Sequence, residues 1–346
     1  MGTKLWLGIV FTPSWLRVAC IQFARSPGLV RQVYGLPLPV GCINEDSGAI
    51  EDSNTLQAAL ASLPCMNPKQ LGLGAVFLVV PQLLCYRTAF TASPALRHAP
   101  VDQLIAECVS DLPGDRSSLV VDAYAHEPSI GDHRSVMVVA ARRSAIEAYT
   151  RLFAGCVWCL GGVTTGEIAR FNRWTLQRPD VSARVVLVCT SDVDSRELSV
   201  WDRGVLTASD TRYWRQRSRI GGRASTGMQS GPGDNRDMLT RDILTVIEKQ
   251  SNVGRPVESV LFGGTLRKRE DLQLAVSRAS GVPYDVSVDR LCASQTGSTN
   301  KSLQLESMPK EDNGLYDDAV GATAPKISQF LVRQRRKWNG LYQSYA

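Results

Sequence analysis

A chain of 346 residues with 44% hydrophobic side chains can close two cores, which excludes a disordered polypeptide and a small disulfide-stapled domain. The formal charge of +6 is spread along the chain. Its one basic block, Arg333, Arg335, Arg336 and Lys337, reads as a solvated helix face, with anionic lipid or an acidic partner as the other reading, so nucleic acid is not expected.

The nine cysteines are scattered, and runs such as Leu83-Leu84-Cys85 and Leu187-Val188-Cys189 make them reduced core residues. An odd count, with no export signal over the first twenty residues, points to the cytoplasm. Cys156-Val157-Trp158-Cys159 has no second pair and few histidines near it, so no metal is expected and burial is its simplest role. The most apolar stretch, Leu71 to Leu84, is broken by Gly72, Gly74, Pro81 and Gln82 and falls short of the roughly 18 residues that span a bilayer, so any membrane role is peripheral.

In chain order, Leu5 to Val10 and Leu16 to Phe23 form a hairpin about Thr12-Pro13-Ser14, and Leu29 to Leu38 adds a third strand. Leu56, Ala59, Leu60 and Leu63 give Ser53 to Leu63 helical spacing, and Ala75 to Val80 suits a buried central strand. A helix from Val101 to about Leu112, paired strands Leu119 to Tyr124 and Ser135 to Ala140, and a helix from Ser144 to Phe153 follow. After a short strand near Val157, a helix runs from about Thr165 to Trp174, and Gln177-Arg178-Pro179-Asp180 is the best domain boundary. The pattern then restarts with strands Val185 to Thr190, Glu197 to Asp202 and Gly204 to Ser209, a Gly/Ser/Arg-rich loop, a helix from Asp237 to Gln250, a strand from Val257 to Phe262, a helix from Leu272 closed by Gly281, and a strand from Val282 to Val288. Asp317 to Ala322 and Ile327 to Trp338 read as helices.

Several of these segments resemble the PilM and FtsA branch of the actin-like ATPases. Leu7-Gly8-Ile9-Val10, a tight turn and Leu16-Arg17-Val18-Ala19 resemble its opening hairpin. Asp111-Leu112-Pro113, Val121-Asp122-Ala123-Tyr124 and Val136 to Arg142 resemble its inserted subdomain. Val260-Leu261-Phe262-Gly263-Gly264-Thr265 resembles its adenosine-side turn, and Asp318-Ala319-Val320-Gly321-Ala322 its closing helix. The resemblance implies an α/β fold of two duplicated, ribonuclease H-like sheet-and-helix lobes with an inserted small subdomain. The lobes would be residues 1–178, carrying the insert at about 83–156, and residues 179–322, carrying a mobile loop at about 216–236, before a C-terminal helix and tail at 323–346.

The family cradles phosphates with backbone N–H groups of two hairpin turns and holds magnesium with adjacent aspartates. Here Val10 occupies the first acidic position, Thr12 replaces the glycine, and Pro13 has no N–H. The second turn, Ser191-Asp192-Val193-Asp194-Ser195, has no glycine, and Thr190 stands at the expected aspartate. If nucleotide bound at all, Thr12, Ser14, Asp192, Asp194, Gly263 and Gly264 would line its site. The resemblance therefore implies a non-catalytic scaffold of a pilus or related secretion complex, with no cofactor and no ATPase activity; the alternative is an ATP-binding switch using magnesium. It implies as partner the cytoplasmic N-terminal peptide of a PilN-like membrane protein, in a groove between the first lobe and its insert around Val79, Tyr86, Arg87, Val121, Tyr124 and Val138. A hydrolase using His98, His126 or His133 has no nucleophile motif behind it.

Overall fold

Alternating and continuous apolar runs become the strands of the computed structural model, which describes residues 4–23, 29–66, 75–96, 99–108, 115–125, 134–154, 159–191, 195–213 and 236–286. The expectations for 216–235, 288–346, His98, His126, His133, Cys156, Asp192 and Asp194 lie outside these residues. The chain divides into two units, with the boundary between Pro179 and Asp180.

In the first unit, β1 (Lys4–Phe11), β2 (Trp15–Phe23) and β3 (Leu29–Pro37) form an antiparallel meander. After α1 (Ser53–Ser62), β4 (Ala75–Val80) adds in parallel to β1, and β8 (Cys159–Thr165) adds in parallel to β4, for a sheet order β3-β2-β1-β4-β8. Val76 to Val80 are all buried, as expected for a strand with both faces covered. On one face Leu7, Ile9, Leu16, Val18 and Leu78 pack with Leu56 and Leu60 of α1 and with Ile146 and Tyr149 of α3 (Arg143–Arg151). On the other, Val10, Ile21, Phe77 and Val79 pack with Ala169 of α4 (Gly166–Gln177).

Between β4 and α3 lies a separate three-stranded sheet of β5 (Cys85–Thr91), β7 (Ser135–Arg142) and β6 (Leu119–Ala125), with β7 central and antiparallel to both neighbours. The sequence reading paired only the last two strands. β5 was hidden because its residues, Cys-Tyr-Arg-Thr-Ala-Phe-Thr, show neither strict alternation nor a continuous apolar run, and none of them is fully buried. One face of this sheet closes a small core with Leu104 of α2 (Val101–Cys108).

The second unit repeats the five-strand plan. β9 (Val185–Ser191), β10 (Ser195–Asp202) and β11 (Val205–Tyr213) form a meander, β12 (Ser259–Gly264) adds in parallel to β9, and β13 (Tyr284–Val286) in parallel to β12. The order β11-β10-β9-β12-β13 matches that of the first sheet, strand for strand. Leu239, Ile243 and Ile247 of α5 (Arg236–Asn252) and Leu272 and Val276 of α6 (Glu270–Ser280) cover one face. Gly281 ends α6 in the left-handed conformation, φ 71°, its N–H bonding the Ser277 carbonyl at 2.9 Å.

Candidate functional site

Side chains alternate across a strand, so the register of the small sheet decides which of its residues face the rest of the first unit. Tyr86 lies opposite Ala140 and Val121 opposite Ala140, while Val138 lies opposite Thr88 and Ala123, so Tyr86, Val121 and Val138 share the face that α2 covers. Arg87, Val139, Asp122, Tyr124 and Met137 belong to the other face. The residues expected to form one groove are therefore split between two faces, and Val79 sits apart, buried in β4.

The second face bounds a cavity of about 40 Å³. Cys85, Val120, Asp122, Val139 and Ala141 line it from the small sheet. Val80, Ile146, Val163, Thr164, Thr165 and Ile168 line it from the main sheet and its helices. Most of this lining is apolar, and the polar groups are few. The Thr164 and Thr165 hydroxyls are buried and make no hydrogen bond. Thr165 is the N-cap of α4, yet its side chain does not cap that helix. Asp122 accepts from the Ala123 N–H at 2.8 Å. Arg87 of β5 forms an ion pair with Glu167, whose side chain is fully buried in the first turn of α4, where a carboxylate also suits the helix dipole. Burial pushes the Cys85 thiol up to about 12, against a smaller opposing pull from Arg87. Burial likewise raises the Tyr124 phenol.

Thr164, Thr165 and Glu167 were not anticipated. Their signal was present: a polar Thr-Thr-Gly-Glu run at the carboxyl end of a parallel strand, the end at which α/β sheets gather ligands.

The first hairpin turn is closed on itself. Thr12 N–H donates to the Trp15 carbonyl at 2.9 Å, and Trp15 N–H donates to the Thr12 Oγ1 at 3.0 Å. Pro13 between them has no N–H, so this turn does not fit a phosphate cradle. Ser14 uses its carbonyl to accept from Leu38 N–H at 2.8 Å. In the second unit, Gly264 adopts φ 58° and ψ −140°, and a Cβ there would lie 2.1 Å from the Ser191 carbonyl oxygen. Only glycine fits, so backbone packing accounts for this residue without a ligand. Among the described residues no group of three or more His, Cys, Asp or Glu could hold a metal. No described helix is long and apolar enough to cross a membrane.

No protein-family model matches this sequence, and no curated protein does. Among solved structures, a chain of a PilM-PilN type IV pilus biogenesis complex matches 91% of this chain and 96% of its own length at 15% identity, with a TM-score of 0.61. The chain shares its fold with that chain of the PilM-PilN complex. A Bacteroides thetaiotaomicron protein of actin-like ATPase fold follows at 7% identity and TM-score 0.46, covering 82% of this chain and 91% of its own. The cytoplasmic domain of EpsL, an inner-membrane component of the Vibrio cholerae type II secretion system, gives 10% identity and 0.43, covering 75% and 82%. Both five-stranded sheets of this chain share one strand order, and the three-stranded sheet precedes β8 in the chain.

Proposed function

We propose that this chain is a non-catalytic scaffold of a type IV pilus or related secretion complex, held at the cytoplasmic face of the inner membrane. It binds there an extended N-terminal segment of a PilN-like membrane protein. The observation that carries this reading is the apolar groove between the small sheet and the main sheet of the first unit, in a chain whose fold matches a member of a PilM-PilN complex. β5 pairs only with β7 among the described strands, so its outer edge offers main-chain hydrogen bonds to an extended segment. Leu83 and Tyr86, two of the few large apolar side chains exposed among the described residues, lie at the start of that edge. The scaffold needs no cofactor, and the self-satisfied Thr12–Trp15 turn favours this over the ATP-binding alternative.

The test is calorimetry with a synthetic peptide copying the cytoplasmic N-terminus of a PilN-like membrane protein. Micromolar binding that Val139→Asp abolishes is the expected result, and no binding to the intact chain overturns the reading. Magnesium-ATP at millimolar concentration is expected to give no heat of binding; a saturable signal would restore the nucleotide-switch alternative.

A further inference from the structure

We propose that the three-stranded sheet is a movable wall of the groove and that the Arg87–Glu167 ion pair is its clasp, which must separate before an extended segment can seat. The proposal rests on the peptide-docking reading above, but the clasp itself can be tested without any peptide.

Size is the first argument. A cavity of about 40 Å³ has room for a water or two, whereas an apolar cavity of roughly 150 Å³ is needed to admit benzene. Apolar side chains of a segment paired to β5 therefore do not fit into this cavity as it stands. The groove in this state is too narrow for a peptide.

The second argument is what holds it narrow. Arg87 belongs to the small sheet and Glu167 to the first turn of α4 on the main sheet, so their pairing ties the two walls together. A buried ion pair gives little net stability compared with apolar residues of the same shape, because desolvation offsets most of the attraction. Its best-supported use is to specify one arrangement over another. Opposing it, the Thr164 and Thr165 hydroxyls have lost water in this state and gained no partner. The narrow groove thus combines a specific tie with an uncompensated desolvation, the composition of a two-state element with a small gap.

Cys85 reports the opening, because its thiol lines the cavity and burial keeps it protonated. The experiment is iodoacetamide labelling of the full chain, read cysteine by cysteine by peptide mass spectrometry. Cys65 in the main core and Cys189 in the second unit serve as buried references. Arg87→Met is expected to raise the Cys85 rate about tenfold or more with Cys65 and Cys189 unchanged. Thr164→Val, which removes an unpaired hydroxyl while keeping the side chain's shape, is expected to lower it. An unchanged Cys85 rate in Arg87→Met overturns the proposal. If all three thiols rise together in that variant it has lost its fold, and Thr164→Val decides: a slower Cys85 supports the clasp, an unchanged one overturns it. Labelling that follows expectation while the peptide fails to bind removes the docking reading and leaves the clasp.

Discussion

The Tyr149 hydroxyl donates a 2.7 Å hydrogen bond to the Gly48 carbonyl, joining α3 to the 44–51 loop across 101 residues of chain. The Tyr149 ring also meets the Phe11 ring edge-on at 5.6 Å, and a Cβ on Gly48 would lie 2.8 Å from the Cβ of Pro81. One side chain therefore ties the end of β1, a surface loop and, through that loop, the start of the connection into the small sheet. Tyr149→Phe keeps the ring and leaves the buried carbonyl without its donor, which should cost about 1–3 kcal/mol. Chemical denaturation of the variant, with hydrogen exchange showing loss of protection at residues 44–51, checks this.

Gly264→Ala places a methyl group 2.1 Å from the Ser191 carbonyl oxygen, in a conformation closed to other residues. The strain and the forced separation of β12 from β9 should together cost more than about 3 kcal/mol. Limited proteolysis should cut first within residues 180–286; a variant as resistant as the parent would show that the two strands part without cost.

Arg196 is almost fully buried on β10 and bonds Asp242 of α5 at 2.6 Å. Asp242→Ala strands that guanidinium in the second core and should destabilise by about 3–5 kcal/mol. The double change Arg196→Met with Asp242→Leu should recover most of the loss, and a double-mutant cycle from denaturation midpoints measures the coupling.

Asp52 caps α1, accepting from Thr55 N–H at 3.0 Å and from the Thr55 hydroxyl at 2.6 Å. These bonds hold its carboxyl below the ordinary carboxylate value. A folded value below the unfolded one means a contribution that is whole above the unfolded pKa of about 3.9 and lost as pH falls through the folded value. Amide protection at Leu56 and Leu60 should hold down to about pH 4 and fall below it, and Asp52→Asn should flatten that dependence.

The five-strand plan of each unit was legible because its signals are local. Val76 to Val80 is a continuous apolar run, the meanders alternate, and Gly281 marks the end of α6. The groove was less legible because its chemistry is assembled by topology. Arg87 and Glu167 stand eighty positions apart in the sequence, and nothing near either names the other. Tyr86 and Arg87, neighbours in the chain, were grouped in one groove by the resemblance. Once Cys85 to Thr91 is a strand, its alternation sends one to each face. The resemblance placed the glycines at 263 and 264 on an adenosine-side turn, and the approach of Ser191 to Gly264 supplies a packing reason for the second.

The two sheets also differ in one connection. The link from the fourth strand to the fifth is α6 and its short flanks in the second unit, from Gly264 to Tyr284, while in the first it carries β5, α2, β6, β7 and α3 between Val80 and Cys159. Such a crossover must return on the same side of the sheet with a helix packed against it, and α3 already meets that requirement. The segment ahead of α3 closes its own small core around Leu104 and meets the main core through Leu84, Cys85 and Ala141, so its outer parts are free to diverge in length while the sheet beneath keeps its architecture.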